Sequence, residues 1–321
     1  MFWGLQEGFD EYSITFRTFW HFLKASYILR AMESAVTTVA FTLYRPETPE
    51  TAVIFSSPHS GKAYSDSFLQ ASILDAQTVR SSEDAFVDEL FLPALAYGAP
   101  LLVAHAPRAF IDLNRGVDEL DGAVIEGART NPHNPRVASG LGVIPRVVSA
   151  GRPIYRGKIS ITEAESRLNQ HWYPFHAALH QLIEDTRSRF GQAILLDCHS
   201  MPHDAIESTM RDLSARPDVV LGDRFGASAM PELTEEIAAA FREEGLRVAR
   251  NAPFAGAYIA QAYGRPSLGV SVIQIEIDRA LYMDELTVTP RADFAAFRAL
   301  IGRVQARILG HLAQDLPLAA E

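Results

Sequence analysis

The sequence predicts an α/β fold, a single domain with a central mostly parallel or mixed sheet and helices on both faces, on three observations. Five short apolar or β-branched runs end in polar loops, helical periods separate several of them, and no internal repeat or linker divides the chain. With 321 residues, 48% of them apolar and 21% charged, the chain can bury a substantial core.

The runs predicted as strands are Ala52–Phe55, Leu101–Ala104, Ala193–Cys198, Val219–Leu221 and Val270–Ile277. Helical spacing covers Asp84–Ala96. A longer helix opens at Ser160-Ile-Thr-Glu163, the spacing of a capping box, and runs to about Arg189 before Gly191. Pro231–Glu244 begins with proline and is followed by Gly245, the usual asymmetry of helix ends. Arg291–Leu312 closes the pattern. Residues 116–158 differ: seven glycines, four prolines and little periodicity mark a long functional loop.

Residues 1–31 hold nine of the 31 aromatic side chains, without the basic and apolar regions of a signal peptide. Two readings stand for this N-terminal extension: an aromatic-rich helix that packs on the body or on a partner, or a stretch upstream of a natural start at Met32. The domain proper is then 32–321.

A formal charge of −10 and the lack of any Lys/Arg run argue against nucleic acid or an anionic membrane as partner. No apolar run nears the ~20 residues that span a bilayer. The single cysteine, Cys198, allows no intrachain disulfide, which fits a cytoplasmic protein, and no paired-cysteine zinc site.

In an open α/β sheet, ligands bind beyond the carboxyl ends of the strands. The polar residues there are Ser57-Pro-His59-Ser-Gly61, then His105, Arg108 and Asp112-Leu-Asn114-Arg115, then Asp197-Cys-His199-Ser, and Glu276 between Ile275 and Ile277. Two histidines, several carboxylates and two arginines at one edge have the composition of a metal hydrolase site. One histidine after a strand is commonly a loop hydrogen-bonder, and Asp197 can be a turn residue. Glu276 is more telling, because a carboxylate in an apolar strand is paired, protonated or functional. Rival chemistries lack their motifs: there is no G-x-S-x-G elbow, dinucleotide fingerprint or P-loop. If His199 faces the site, its neighbour Cys198 faces the core, which disfavours a cysteine nucleophile.

Five motifs in order, Ser57-Pro-His59-Ser-Gly61, Asp84 with Asp88-Glu-Leu90, Ile111-Asp-Leu-Asn-Arg115, Tyr173-Pro-Phe-His176 and Asp197-Cys-His-Ser-Met201, together resemble the N-formylglutamate amidohydrolase (deformylase) family. The resemblance covers about residues 50 to 285 and implies a zinc-carboxypeptidase-like fold, shared with the aspartoacylase group. It implies one divalent metal per chain, Zn²⁺, with His59 and His199 as ligands. Zinc carboxypeptidases carry a glutamate three residues after the first histidine; Lys62 stands there. The carboxylate ligand is therefore expected at Asp84, with Glu83 the next choice. Glu276 matches the glutamate that acts as general base and acid. Arg108 matches the arginine that polarises the scissile carbonyl, and Asn114-Arg115 the clamp on a substrate carboxylate; Arg146, in the long loop that reads differently from the family, is a further candidate for that clamp. Ala85 and Phe86 follow Asp84 where histidine-degradation deformylases carry tryptophan, which leaves the acyl group and amine less fixed than the chemistry. The expected substrate is a small anionic N-acyl amino acid, N-formyl-L-glutamate first, with a larger amide or a non-catalytic ligand-binding role as alternatives.

Overall fold

The computed structural model describes residues 28–314 except 31, 47, 130–132 and 208–215. The N-terminal extension through residue 27 lies outside them. Ten strands form the sheet and one hairpin: β1 (Val36–Thr37), β2 (Phe41–Tyr44), β3 (Val53–Ser57), β4 (Leu101–Ala104), β5 (Val147–Val148), β6 (Arg152–Pro153), β7 (Ala193–Met201), β8 (Val219–Gly222), β9 (Val248–Arg250) and β10 (Val270–Asp278). Eight of them make one mixed sheet in the order β1-β2-β4-β3-β7-β10-β8-β9. The four central strands, β4, β3, β7 and β10, run parallel, so their carboxyl ends share one edge. β2 and β8 flank them antiparallel.

Side chains alternate between two cores. Ile194, Leu196 and Cys198 of β7 join Ile273, Ile275 and Ile277 of β10 on one face, under the helices Pro231–Glu243 and Phe294–Gln314. Ala193, Leu195, Val270 and Val272 face the other core, under the helix Tyr173–Phe190. Both faces are covered, which is why these strands read as near-continuous apolar runs.

Several boundaries depart from the sequence reading. The sheet starts before residue 52, with β1 and β2, and β9 adds a further edge; all three are too short to show a period. The expected helix Asp84–Ala96 begins at Val87. Phe86 adopts a left-handed conformation (φ 65°) and the Asp84 N–H donates to His59 O at 3.0 Å, which ties that segment to the site instead. Ser160 caps its helix, accepting from Glu163 N–H at 3.1 Å, but the Glu163 side chain turns forward to Arg167 rather than back to close a capping box. A π-turn at Leu168–Trp172 joins that helix to Tyr173–Phe190. The 116–158 stretch carries the β5–β6 hairpin and a short helix, Pro135–Ala138. No helix among the described residues is long and apolar enough to cross a membrane.

Candidate metal centre and cavity

His59 leaves the carboxyl end of β3 in the turn closed by Gly61. A Cβ on Gly61 would lie 2.2 Å from Ala106 O, so only glycine lets this turn press against the exit of β4. His199 projects from β7 opposite Cys198, which packs in the core. Asp84 reaches between them. Its Oδ2 lies 3.0 Å from His199 Nδ1 and 3.5 Å from His59 Nδ1. The three ligand atoms fall within 4.8 Å of one another, and all three residues are buried.

The far nitrogen of each ring is held by a second carboxylate. His59 Nε2 donates to Asp112 Oδ1 at 2.7 Å, and His199 Nε2 to Asp197 Oδ2 at 3.0 Å. These pairs fix ring orientation and turn both Nδ1 atoms toward Asp84, the arrangement that orients histidine ligands. His59 Nδ1 is buried without a hydrogen-bond partner among the described residues. An unpaired buried acceptor beside a second imidazole and a carboxylate, with three ligands of N/N/O type, fits a divalent ion such as Zn²⁺.

The other oxygen of Asp84 is anchored. Arg279 Nη2 donates to Oδ1 at 2.9 Å and Ser200 Oγ at 3.2 Å. Burial pushes the Asp84 carboxyl up, but the hydrogen bond from His199, the nearby His59 and the Arg279 charge outweigh it, and the group stays well below its usual range. Burial lowers His199, yet Asp197 and Asp84 raise it overall. A cation held there would take the place of that proton. Glu83, the other expected carboxylate, is engaged elsewhere by Arg80 at 3.0 Å and Tyr64 at 3.1 Å.

Glu276 pairs in register with His199 across the parallel β7–β10 ladder, so both side chains stand on one face. Burial, with the Asp84 charge adding to it against His199 and Arg108, pushes its carboxyl up to about 7. Gln274, two residues earlier on the same face, donates from Nε2 to Glu276 Oε1 at 2.7 Å. The Gln274 oxygen accepts from Ala257 N–H at 2.9 Å.

Arg108 donates from Nε to Asp112 Oδ2 at 3.1 Å, and its terminal nitrogens are uncommitted among the described residues. It lines a cavity of about 370 Å³ with Ser81, Ser82, Leu141, Val147 and Arg279. Asn114 and Arg115 lie deeper. Asn114 Nδ2 donates to Asp197 Oδ2 at 3.2 Å and its Oδ1 accepts from Ile259 N–H at 2.7 Å. Arg115 donates to Leu141 O at 2.9 Å and Asn114 O at 2.7 Å, and its Nε lies 4.0 Å from Asp112 Oδ2, so Arg108 and Arg115 flank one carboxylate. Arg146 is bound to Asp121 at 2.9 Å, within the loop. The structure thus brings His59, Asp84, His199, Glu276 and Arg108 together, packs Asn114 and Arg115 behind them, and sets Arg146 apart.

The Tyr-Pro-Phe-His motif serves the same site from behind. His176 Nε2 donates to Leu113 O at 2.9 Å and Trp172 Nε1 to Arg115 O at 2.9 Å, pinning the segment that carries Asp112, Asn114 and Arg115. Asp112, Gln274 and Arg279 have clear structural roles that sequence reasoning did not assign. Gln274 carried one usable signal, its place two residues before Glu276 in a strand.

The sequence profile of the N-formylglutamate amidohydrolase family matches residues 51–283. The chain is 31% identical over 257 residues to the N-formylglutamate deformylase of Pseudomonas aeruginosa PAO1, covering 78% of this chain and 89% of that one. The enzyme of the same name from Pseudomonas putida is 30% identical over 249 residues, 76% and 86% of the two chains. The crystal structure of an N-formylglutamate amidohydrolase from Ralstonia eutropha JMP134 superposes with a TM-score of 0.81 at 34% identity, covering 87% of this chain and 100% of that one.

Proposed function

From the premise that the chain belongs to the N-formylglutamate amidohydrolase family, we propose that it hydrolyses the amide of a small N-acyl amino acid, N-formyl-L-glutamate first, to formate and L-glutamate. The observation that carries the reading is the convergence of His59, Asp84 and His199 beside Glu276, which stands in register with His199.

His59, Asp84 and His199 would hold one divalent ion, Zn²⁺ in this reading. When bound, such an ion supplies a Lewis acid and makes water acidic enough to attack near neutral pH. Glu276 accepts the proton of the attacking water and returns it to the leaving nitrogen, a role worth about 10²–10⁴ in rate. Its carboxyl, pushed up to about 7, is matched to both halves of that task. Arg108 turns its free terminal nitrogens to the charge that develops on the carbonyl oxygen, where one donor is worth roughly 10²–10³. The terminal nitrogen of Arg115 that is uncommitted among the described residues, beside Arg108, is assigned to the substrate's α-carboxylate; Asn114 orients Asp197 behind His199. Arg146 contributes through the loop it ties to Asp121.

The cavity of about 370 Å³ lies at the small end of ligand sites, about 300–1,000 Å³, which favours a compact substrate over a long peptide. Amine release from N-formyl-L-glutamate, with zinc-loaded and chelator-treated protein side by side, tests the reading. Turnover by the loaded protein alone supports it, and equal turnover by both removes the metal from it.

A further inference from the structure

Resting on the reaction proposed above, we infer that Ser81 and Ser82 determine substrate specificity: their hydroxyls bind the oxygen at the end of the substrate's side chain. Both Oγ atoms are buried without a hydrogen-bond partner among the described residues, and both residues line the cavity that Arg108 enters. An unpaired buried hydroxyl is costly and needs an explanation, and two adjacent ones on residues that line a single cavity call for a ligand that brings acceptors.

The turn that carries them is fixed. Asp75 accepts from Thr78 N–H at 2.7 Å and Gln77 N–H at 2.9 Å, Val79 is fully buried, and Arg279 Nη1 donates to Ser81 O at 3.1 Å. The hydroxyls are therefore presented on a rigid backbone. Leu141, Pro145, Val147 and Val148 form apolar wall, suited to the methylenes of a side chain. Arg279 also lines the cavity, but its donors are spent on Asp84, Ser200 and the Ser81 carbonyl. Two neutral hydroxyls meet the distal oxygen, and neutral donors read an acceptor rather than a charge. The structure thus points to side chains of glutamate length ending in a carboxylate or a carboxamide, with apolar side chains of similar length disfavoured. A site built to hydrogen-bond rejects a ligand lacking that group far more strongly than an apolar pocket rejects an extra one.

The test compares N-formyl-L-glutamate, N-formyl-L-glutamine and N-formyl-L-norleucine with zinc-loaded wild type and the S81A/S82A double variant. In the wild type, kcat/KM for the first two substrates should agree within about 10-fold, and that for norleucine should fall about 100-fold below them. In the variant the glutamate-to-norleucine ratio should shrink by about 10-fold or more. Its Tm should stay at or above that of the wild type, since no hydrogen bond of the fold is removed. An unchanged ratio overturns the assignment. So does a loss of Tm, which marks the hydroxyls as structural, or a preference for glutamate over glutamine beyond about 100-fold, which marks a charge as the reader. Calorimetric binding of L-glutamate against L-norleucine gives the same ratio without turnover. If the wild type cleaves none of the three substrates, the reaction reading fails; if it cleaves N-formyl-L-glutamate and the variant's ratio does not move, only the role of the hydroxyls fails.

Discussion

Gln274 donates its amide N–H to Glu276 Oε1 at 2.7 Å, and because its own oxygen accepts from Ala257 N–H, the amide has a single orientation. It therefore always presents a donor to the Glu276 carboxylate. Gln274→Leu removes a hydrogen bond to the ionised form, so the Glu276 pKa rises and the acid limb of the kcat/KM profile moves to higher pH by about 1–2 units. We expect kcat to fall by about 10–100-fold with KM little changed. A profile that keeps its acid limb in place would show that Gln274 supports the fold and not the base.

Glu276→Gln preserves shape and removes the proton acceptor. It should retain metal and Tm while kcat drops by about 10²–10⁴. The opposite result, a lower Tm with activity per folded molecule intact, would make Glu276 a structural residue. Arg279, the nearest candidate for such a structural partner, is committed to Asp84.

His59→Ala and His199→Ala should each lose the metal by elemental analysis, because three protein ligands leave none to spare. Asp112→Asn should keep the ligands but loosen the His59 ring, weakening zinc affinity by about 10–100-fold in a competition titration with a chelator. Full stoichiometry and unchanged affinity in all three variants would rule out this centre.

His176 predicts how stability changes with pH. Burial depresses its pKa to about 4 in the fold, against 6.5 for the free side chain. Between these values the unfolded chain takes up a proton that the folded chain refuses. The stabilisation tied to the neutral ring is thus complete above about 6.5 and lost as pH falls toward 4, at most about 3 kcal/mol. Urea midpoints of wild type and His176→Gln should converge as pH drops from 7 to 4. A gap that stays constant over that range would contradict the buried neutral ring.

The residues most legible in the sequence were those whose chemistry and strand position coincide. His59, His199 and Glu276 each follow or sit in a strong apolar run, and the parallel centre of the sheet brings those runs to one edge. Asp84 is legible through its motif, although the helix that periodicity predicts from Asp84 starts only at Val87, because the left-handed Phe86 interrupts a pattern that periodicity alone carries on. The arginines were harder. Arg108, Arg115 and Arg146 look alike in sequence, but Asp112, Leu141 O and Asp121 decide which stays free, and such partners come from tertiary contact. Gln274 and Arg279 went unassigned because their roles lie in what they hold.

Arg279 grips the Asp84 carboxylate with one nitrogen and the Ser81 carbonyl with another. The turn that forms a cavity wall and the carboxylate of the candidate metal centre therefore hang from the same guanidinium. In the proposed reading, changes in residues 78–82 made to admit a new acyl amino acid would carry over into how firmly an ion is held at Asp84. The β5–β6 hairpin, which supplies other parts of the wall, packs on that same turn through Val148 against Val79, so changes there reach the tether as well.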